Sequence, residues 1–433
     1  MPINVAVIGS GPSGFYTVDA LRKSDKDVRV DIIERLPTPF GLIRGGVAPD
    51  HQTTKKVARV YEKTALADGV AYYGNVEVGR DVSLEELKEM YDAIVLAVGA
   101  PRDRKLGIPG EDKIGVFGSA DFVGWYNGHP DFTDLEPDLN TDTVVVIGNG
   151  NVAVDAARVL VKTEEEMTDT DIADHAADAI QASPISDVYM VGRRGPIEAK
   201  FTNVELREMG KLDNCTPVID PSILPETVEG EWSDRDQRLK DRNLATMKEF
   251  PAVDPSGKAK RCHFTFYAKP IEILGGDKVE GIRMEHTKVE DGRSVGTGEF
   301  FDIECGLVIP AIGYFSEPFP GVPFNEDWGI VEHEEGRVGD GVYAVGWIKR
   351  GPTGVIGSNK PDGDTAATQI LEDVGDGTKP GREALDALLA ERNVRVVTYQ
   401  DWQAINDTEI ANAKPGAPRR KFVTVDAMVA ALD

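Results

Sequence analysis

One stretch of the sequence restricts the fold more than any other, because a β-prone run leads directly into a glycine turn and then into an amphipathic helix. The stretch reads Thr143-Val-Val-Val-Ile-Gly-Asn-Gly-Asn-Val-Ala-Val-Asp155. In dinucleotide-binding folds such glycines allow a tight turn and a close approach of the backbone, and the N–H groups of the helix face a pyrophosphate. The stretch therefore predicts a strand, a turn and a helix that bind a dinucleotide.

The strand that follows indicates which dinucleotide this turn binds. It reads Asp187-Val-Tyr-Met-Val-Gly192 and ends in Arg193 and Arg194. A carboxylate at this position would accept hydrogen bonds from an adenosine ribose, whereas two arginines suit its 2′-phosphate. We therefore predict an NADP(H) site. Between the two strands, residues 164–182 are acidic and rich in alanine, and we expect an inserted solvated helix there.

A second fingerprint opens the chain after a buried strand at residues 3–8. A further strand, 28–33, ends in Glu34, close to the spacing at which a carboxylate meets ribose hydroxyls. Because Glu34 would repel a 2′-phosphate, this first site suits FAD or NAD and not NADP(H). The fingerprint consists of Gly9, Gly11, Pro12, Ser13 and Gly14.

Two later segments are expected to border the first nucleotide. Residues 35–51 contain three prolines and three glycines, so we predict a packed loop and neither a helix nor a central strand. Residues 342–358 again read as a strand, a glycine and a helix start. We expect this second segment to place Trp347 beside a ring system.

The composition excludes several classes of protein. The net charge of −26 disfavours nucleic acid and anionic membranes as partners, and the apolar runs are too short to span a bilayer. Three scattered cysteines predict no disulfide frame, and His175 has no second ligand at metal spacing, so we expect no metal site. We predict a monomer without stable membrane association, located in a reducing cytoplasm, and no signal peptide is visible.

The pattern also predicts how the chain is divided. The chain leaves the first domain near residue 103 and returns near residue 314. In the second domain we expect antiparallel strands at residues 261–274, 281–288 and 300–309. Near the end of the chain we expect a helix at 382–392, a strand at 394–398 and two terminal helices.

Taken together, these segments resemble adrenodoxin reductase and its bacterial NADPH–ferredoxin reductase relatives. The matching segments are residues 9–16, 39–51, 148–155, 191–196 and 346–356. The resemblance implies a glutathione-reductase-like α/β fold with two Rossmann-like three-layer dinucleotide-binding domains, the NADP(H) domain being inserted into the FAD domain. We accordingly place the FAD domain at 1–103 and 315–433 and the NADP(H) domain at 104–314. The implied activity transfers electrons from NADPH through FAD to a ferredoxin-type iron–sulfur protein.

The resemblance also implies which residues touch the cofactors. Those expected at FAD are Gly9, Gly11, Pro12, Ser13, Gly14, Glu34, Leu42, Val76, Trp347, Gly354, Val355 and Ile356. Those expected at NADP(H) are Asn149, Gly150, Asn151, Val152, Arg193, Arg194, Glu205 and again Gly354. His51, Asp155 and Glu208 match polar residues that the family places near the reacting rings, and we take them as the candidate catalytic groups.

The catalytic candidates also have plainer interpretations. His51 either organises water or donates a hydrogen bond to the flavin edge or the nicotinamide amide, or it is a hydrogen-bonded loop residue. Asp155 either orients His51 or stabilises the helix N-terminus by its charge. Glu205 and Glu208 lie at i and i+3 of one predicted helical turn, which is also the pattern of an ordinary amphipathic helix.

An acidic ferredoxin would need a local basic patch on this acidic protein. The cationic clusters that we consider most relevant lie in the second domain. They are Arg193, Arg194, Arg207 and Lys211, then Arg235, Arg238, Lys240 and Arg242, then Lys258, Lys260 and Arg261.

Three other functions share some of these features. A flavoprotein resembling the small subunit of glutamate synthase would carry a cysteine-rich iron–sulfur segment, which is absent from these 433 residues. A flavin mono-oxygenase would use FAD and NADPH but would need no protein acceptor. A redox-sensing protein would bind both nucleotides and turn over little, and the sequence does not exclude it.

Overall fold

Two parallel sheets, each built around one of the two glycine turns, divide the chain into two units. The computed structural model describes all 433 residues. Unit 1 comprises Met1–Arg102, Asn127–Pro130 and Tyr314–Asp433, and unit 2 comprises Asp103–Tyr126 and Asp131–Gly313. Unit 2 is therefore inserted into unit 1, in agreement with the predicted fold class.

The boundaries of the units differ slightly from the sequence expectation. The expected crossings after residues 103 and 314 each lie one residue from those of the structure. The expected middle domain also included Asn127–Pro130, which belongs to unit 1. The reason is local contact: the Lys421 ammonium donates to the Asn127 carbonyl at 3.0 Å, and His129 lies against Gly45.

Unit 1 is built on a six-stranded sheet with the strand order β17-β18-β4-β1-β2-β3. All neighbouring strands are parallel except the edge strand β17, which is antiparallel to β18. Every residue of β1 and β4 is buried, as expected for parallel strands covered on both faces. The strands of this sheet are β1 (Ile3–Ile8), β2 (Val28–Glu34), β3 (Val70–Gly74), β4 (Ala93–Leu96), β17 (Arg337–Gly339) and β18 (Val342–Ala344).

Helices pack on both faces of this sheet. Helix α1 crosses α12 closely because Gly363 has no side chain: a Cβ there would lie 2.7 Å from the backbone nitrogen of Thr17. Helix α5 begins at Ser83 with the predicted capping box, in which Ser83 and Glu86 exchange hydrogen bonds. The helices are α1 (Pro12–Arg22), α2 (Leu42–Gly45), α3 (Gln52–Lys55), α4 (Ala58–Ala65), α5 (Leu84–Met90), α11 (Trp347–Arg350), α12 (Asn359–Asp373), α13 (Arg382–Glu391), α14 (Tyr399–Ala411) and α15 (Val425–Ala430).

Unit 2 contains a five-stranded parallel sheet and a separate antiparallel sheet. The parallel order is β13-β6-β7-β9-β8, and the antiparallel order is β10-β11-β12. The strands are β6 (Thr143–Ile147), β7 (Asp187–Val191), β8 (Cys215–Val218), β9 (Lys260–Thr265), β10 (Ala268–Leu274), β11 (Gly281–Glu290), β12 (Arg293–Glu304) and β13 (Leu307–Pro310). The helices are α6 (Ser119–Asn127), α7 (Asn151–Val161), α8 (Asp174–Ala182), α9 (Asn203–Met209) and α10 (Asp234–Glu249).

Four short strands complete the chain. They are β5 (Arg102–Asp103), β14 (Tyr314–Phe315), β15 (Phe324–Asn325) and β16 (Ile330–Val331). No helix combines the length and the apolar character needed to cross a bilayer.

Two of the predicted antiparallel strands are wrong, because each combines two strands of different sheets. Residues 261–274 divide at Tyr267, whose φ of 54° ends β9 beside the parallel strand β7 before β10 begins the antiparallel sheet. Residues 300–309 divide in the same way between β12 and β13. Their β-prone composition is continuous, so the pattern alone does not show where the chain changes sheet.

Three other local predictions need correction. Residues 164–182 form a 3₁₀ turn at Glu165–Met167 and then helix α8, not one helix. Residues 394–398 form only an isolated bridge between Gly74 and Val397. The loop at 35–51 contains the helical turn α2, which the backbone enters at Gly41 with φ 50°.

Candidate functional site

The first glycine turn joins β1 to α1, and its three glycines differ in how much space a side chain would have. Gly9 has φ 102°, and a Cβ there would lie 2.5 Å from the carbonyl oxygen of Ala97. A Cβ on Gly14 would lie 2.2 Å from the carbonyl oxygen of Gly9. Gly11 caps α1, with Pro12 in its first turn, and a Cβ on Gly11 would meet nothing within 4 Å. Backbone N–H groups at this helix start are therefore accessible to a pyrophosphate.

A second segment, Phe40–Gly45, lies against this turn. The Phe40 N–H donates to the Ser10 carbonyl at 3.0 Å. A Cβ on Gly41 would lie 3.1 Å from the Cα of Gly11. The predicted loop therefore reaches the glycine turn, and its close approach depends on glycine at position 41.

A third segment contacts the same turn from the carboxyl end of β18. Gly346 has φ 71°, and a Cβ there would lie 2.7 Å from the Cβ of Ser13. The Gly346 N–H donates to Asp362 Oδ2 at 3.1 Å, so Asp362 fixes this turn, a role that the sequence analysis missed. Trp347 follows, half-buried, and its indole N–H donates to the Thr353 carbonyl at 3.2 Å.

The Glu34 carboxylate is hydrogen-bonded to the first glycine turn. Its Oε2 accepts hydrogen bonds from the Ser10 N–H at 3.0 Å and the Ser10 hydroxyl at 2.7 Å, and its Oε1 accepts from the Leu36 N–H at 3.1 Å. A carboxylate has about four acceptor positions, so ribose hydroxyls can still bind. Burial, and then the negative charge of Glu34, raise the pKa of Tyr72 well above its ordinary value, which keeps that phenol neutral.

The other residues expected at FAD differ in accessibility. Leu42 and Gly354 are exposed, Ile356 is half-buried, and Val355 is 63% exposed. Val76 is only 1% exposed and its side chain packs in the core, so a ligand contact there would have to use its backbone.

The second glycine turn joins β6 to α7 and repeats the geometry of the first. Gly148 has φ 151°, and a Cβ there would lie 2.3 Å from the Ala311 carbonyl oxygen. Gly150 caps α7, and a Cβ there would meet nothing within 4 Å. The Asn149 carbonyl accepts from the Lys200 N–H at 2.7 Å, whereas its buried side-chain Oδ1 has no hydrogen-bond partner. An unsatisfied buried oxygen at this turn fits a site that a ligand completes.

The predicted arginines lie at the carboxyl end of β7, one strand away from this turn. Arg193 is exposed and Arg194 is half-buried, and Arg194 Nη1 donates to the Gly292 carbonyl at 3.5 Å. The Arg193 carbonyl accepts from the Thr287 hydroxyl at 2.9 Å, which fixes the backbone. Neither guanidinium forms an ion pair within unit 2, so both remain able to bind a phosphate.

The segment before α9 is fastened to the second turn. The Asn151 Oδ1 accepts from the Thr202 N–H at 2.7 Å. Together with the bond from Lys200, this contact fixes residues 200–202 beside the start of α7, where Val152 is half-buried.

Arg158 brings three of the predicted acidic residues together, although the sequence analysis did not single it out. Its side chain is 0% exposed. Its Nη2 lies 2.8 Å from Asp155 Oδ1, its Nη1 3.2 Å from Glu205 Oε2 and its Nε 3.6 Å from Glu208 Oε2. Unit 2 therefore contains one cluster in which a single guanidinium connects α7 to α9.

A signal for Arg158 was present in the sequence. It lies in a helix between Ala156-Ala157 and Val159-Leu160, where helical periodicity places apolar residues. A charged residue at such a position is almost never fully buried unless it is paired, so it predicts nearby carboxylates.

His51 lies in unit 1, whereas Asp155 and Glu208 lie in unit 2. His51 is half-buried at the start of α3, and its carbonyl accepts from the Thr54 N–H at 3.0 Å. Its catalytic role stays a prediction.

Comparisons with known proteins agree with this geometry. The family model described as pyridine nucleotide-disulphide oxidoreductase matches residues 3–192. NADPH:adrenodoxin oxidoreductase of Salvelinus fontinalis is 43% identical, with 98% of this chain and 90% of the relative covered. NADPH-ferredoxin reductase FprA of Mycobacterium tuberculosis is 41% identical, with 98% of each chain covered.

A solved structure extends the agreement to the fold. The structure of Mycobacterium tuberculosis FprA in complex with NADPH has a TM-score of 0.94 to this chain at 40% identity, and 100% of each chain is covered. The similarity in sequence and structure thus extends over the whole chain, both glycine turns included. The chain belongs to the family of NADPH:adrenodoxin oxidoreductases and NADPH–ferredoxin reductases.

Proposed function

We propose that this protein is an FAD-dependent ferredoxin–NADP⁺ reductase that passes electrons from NADPH through FAD to a ferredoxin-type iron–sulfur protein. The observation that carries the proposal is the pairing of two glycine turns with opposite flanking charges. Glu34 adjoins the first turn, and the unpaired Arg193 and Arg194 adjoin the second. The names of the relatives, NADPH:adrenodoxin oxidoreductase and NADPH-ferredoxin reductase, support the same activity.

The residues present fit both nucleotides. At each turn the helix-capping glycine leaves open space, since a Cβ on Gly11 or Gly150 would meet nothing within 4 Å. The Asn149 Oδ1 supplies an unsatisfied acceptor at the second turn. When bound, FAD supplies hydride acceptance and one-electron release, and the protein supplies position and polarity.

We assign the protein groups as follows. Arg193 and Arg194 would bind the 2′-phosphate, and Glu205 would contact the same nucleotide. Asp155 and Glu208 supply polar groups near the reacting rings, with Arg158 holding both. His51 is the candidate catalytic group that belongs to unit 1. Mitochondrial and bacterial relatives both occur, so a cytoplasmic location remains our proposal.

Acceptor-dependent turnover tests this function directly. The purified protein is expected to retain FAD and not FMN, because Glu34 and the first turn address the adenosine half that FMN lacks. Reduction of cytochrome c by NADPH should then depend on added ferredoxin. If oxygen consumption accounts for all NADPH oxidation, the mono-oxygenase reading is favoured. If no acceptor supports turnover, the redox-sensing reading is favoured.

The choice of nicotinamide cofactor has its own test. Charge-assisted hydrogen bonds to a phosphate are worth about 1.5–3 kcal/mol each, so R193Q/R194Q should weaken NADP⁺ binding strongly and NAD⁺ binding little. Calorimetric titration with both nucleotides measures the difference. R207Q is the matched control, because Arg207 is exposed in the same unit. Equal losses for both nucleotides would show that the pair supports the structure only.

We propose that the acidic partner docks on the exposed face of α10. Arg235, Arg238 and Arg242 lie at i, i+3 and i+7 of this helix, and all three are exposed without an ion-pair partner. We call them the α10 arginine stripe. The opposite face is buried through residues such as Leu244 and Met247, so the stripe faces solvent.

Several other cationic residues named in the sequence analysis make internal contacts. We leave Lys240 out of the stripe, because its ammonium donates to the Ile197 carbonyl at 2.5 Å and lies 3.9 Å from the Trp232 ring centroid. Burial lowers the pKa of Lys240. Lys260 donates to a backbone carbonyl, and Arg261 pairs with Asp187.

Reversal of the stripe tests the docking site. R235E/R238E/R242E should slow ferredoxin reduction while ferricyanide reduction stays intact. The Debye length is about 8 Å at 0.15 M salt, so added salt should slow the unaltered protein more than this variant. R59E/K63E is the control, since both residues are exposed on α4. Unchanged ferredoxin reduction in the stripe variant would place docking elsewhere.

A further inference from the structure

A buried ion pair joins the C-terminal part of unit 1 to helix α2. Glu409 on α14 has a side chain that is 0% exposed, and Arg44 on α2 has one that is 11% exposed. Arg44 Nη1 donates to Glu409 Oε2 at 2.9 Å and Nη2 donates to Oε1 at 2.5 Å. The guanidinium carbon also lies 5.1 Å from the Trp402 ring centroid. This bidentate geometry fixes Arg44 in direction as well as in position.

Residues after α14 add to this connection. The Phe422 N–H donates to Glu409 Oε1 at 2.8 Å, which orients the carboxylate. Lys421, itself 8% exposed, donates from its ammonium to the Arg44 carbonyl at 3.3 Å and to the Asn127 carbonyl at 3.0 Å. Arg44 is therefore held at its side chain and at its backbone.

Arg44 is connected to the first glycine turn through residues of its own segment. It belongs to the four-residue helix α2 (Leu42–Gly45), and its N–H donates to the Gly41 carbonyl at 3.0 Å. Gly41 in turn lies against Gly11, and Phe40 is bonded to Ser10. A helix this short has little stability of its own, so its position depends on these contacts.

We propose that Arg44 and Glu409 are positioning residues that fasten the Phe40–Gly45 segment against the first glycine turn and thereby slow the release of the dinucleotide bound there. The inference rests on the proposed function, in which that dinucleotide is FAD. Release requires the segment to move away from Gly11. Such movement takes the Arg44 guanidinium away from the buried Glu409, whose carboxylate then keeps only the more distant Arg419 Nη1 at 3.7 Å. The lost compensation makes opening rare.

A second ion pair in unit 1, between the buried Asp31 and the half-buried Arg382, serves as a control. The Asp31 side chain is 2% exposed, and Arg382 donates to its Oδ1 from Nε at 2.9 Å and from Nη2 at 2.6 Å. This pair joins β2 to α13, and neither residue contacts the glycine turn. D31N should therefore weaken unit 1 without acting on the segment at the turn.

The experiment compares FAD release from the holoprotein of E409Q, R44K and D31N with that of the unaltered protein. Release is followed by the fluorescence that free FAD regains, and thermal unfolding is recorded with and without FAD. E409Q should release FAD faster by about tenfold, which corresponds to about 1.4 kcal/mol, and FAD should raise its unfolding temperature by less. R44K should fall between, because an ammonium keeps the charge but loses the bidentate fork.

The outcomes separate this inference from the proposed function. D31N should lower the unfolding temperature with and without FAD and leave the release rate within about twofold. An E409Q holoprotein that releases FAD at the unaltered rate, or a D31N holoprotein that releases it equally fast, would overturn the inference. If E409Q does not fold, R44K decides in its place, because it keeps a positive charge opposite Glu409 but loses the bidentate fork. An unaltered protein that takes up no FAD would refute the proposed function instead.

Discussion

Arg158 shows how one buried residue sets the geometry of an acidic cluster. Removing one partner of a buried ion pair costs about 3–5 kcal/mol, because the remaining charges lose their compensation. R158Q should therefore lower the free energy of unfolding of unit 2 by roughly that amount, as urea titration measures. R207Q, which removes an exposed arginine from the adjoining helix α9, should change it by no more than about 0.5 kcal/mol. Similar small losses in both variants would mean that the cluster does not depend on Arg158.

Asp187, the first residue of strand β7 in the parallel sheet of unit 2, makes a pH-dependent contribution to stability. Burial opposes its ionisation, but hydrogen bonds from Arg261, His263 and Ser186 outweigh burial and lower its pKa to about 2. Because this value lies below the ordinary value of 3.8, the stability is fully present above about pH 4 and is lost as the pH falls towards 2. The stability advantage of the unaltered protein over D187N should thus shrink between pH 4 and pH 2, as urea titrations at each pH would show. An advantage that is constant across this range would exclude ionisation of Asp187 as its source.

At the scale of elements, two glycines of the first turn should respond differently to the same substitution. A Cβ on Gly14 would lie 2.2 Å from the Gly9 carbonyl oxygen, whereas a Cβ on Gly11 would meet nothing within 4 Å. G14A should therefore destabilise the apoprotein, and G11A should leave it stable but weaken FAD binding, because its methyl group enters the open space at the helix start. Thermal unfolding of the apoprotein and FAD titration separate the two effects. A G11A protein with unaltered FAD affinity would show that the ligand does not approach this backbone.

The elements most accurately predicted are those whose local pattern is also their structural reason. Strands β1 and β6 combine a mostly apolar run with a following glycine turn, and the spacing of Ser83 and Glu86 is that of a capping box. The strand at 261–274 was predicted wrongly because neighbours distant in sequence decide which sheet a β-prone run joins. The buried pair of Arg44 and Glu409 could not be predicted for the same reason, since 365 positions separate its members.

At the scale of the whole molecule, the sequence predicted an inserted unit with both crossings within one residue of the observed ones. It did not predict that Asn127–Pro130 belongs to unit 1, because that assignment depends on contacts with Gly45 and Lys421. The net charge of −26 disfavoured nucleic acid and anionic membranes as partners but did not indicate a docking site. The exposed α10 arginine stripe could be recognised only from the structure.

The insertion of unit 2 into unit 1 has a consequence for synthesis on the ribosome. Strand β4 emerges early, but its parallel neighbour β18 is made only at Val342–Ala344, and α12, which covers α1, comes later still. Unit 2 is complete at Gly313, so it is expected to fold while the first 102 residues still lack their closing strand and helix.

Nascent chains test this order of assembly. In chains arrested after Asp340 through a flexible linker, brief proteolysis should spare unit 2 and digest the first 102 residues. Protection of both regions at that length would show that the early half folds alone. If the expected order holds, the part of the protein made first is the last to be completed, and during that interval its apolar strands depend on chaperones for protection from aggregation.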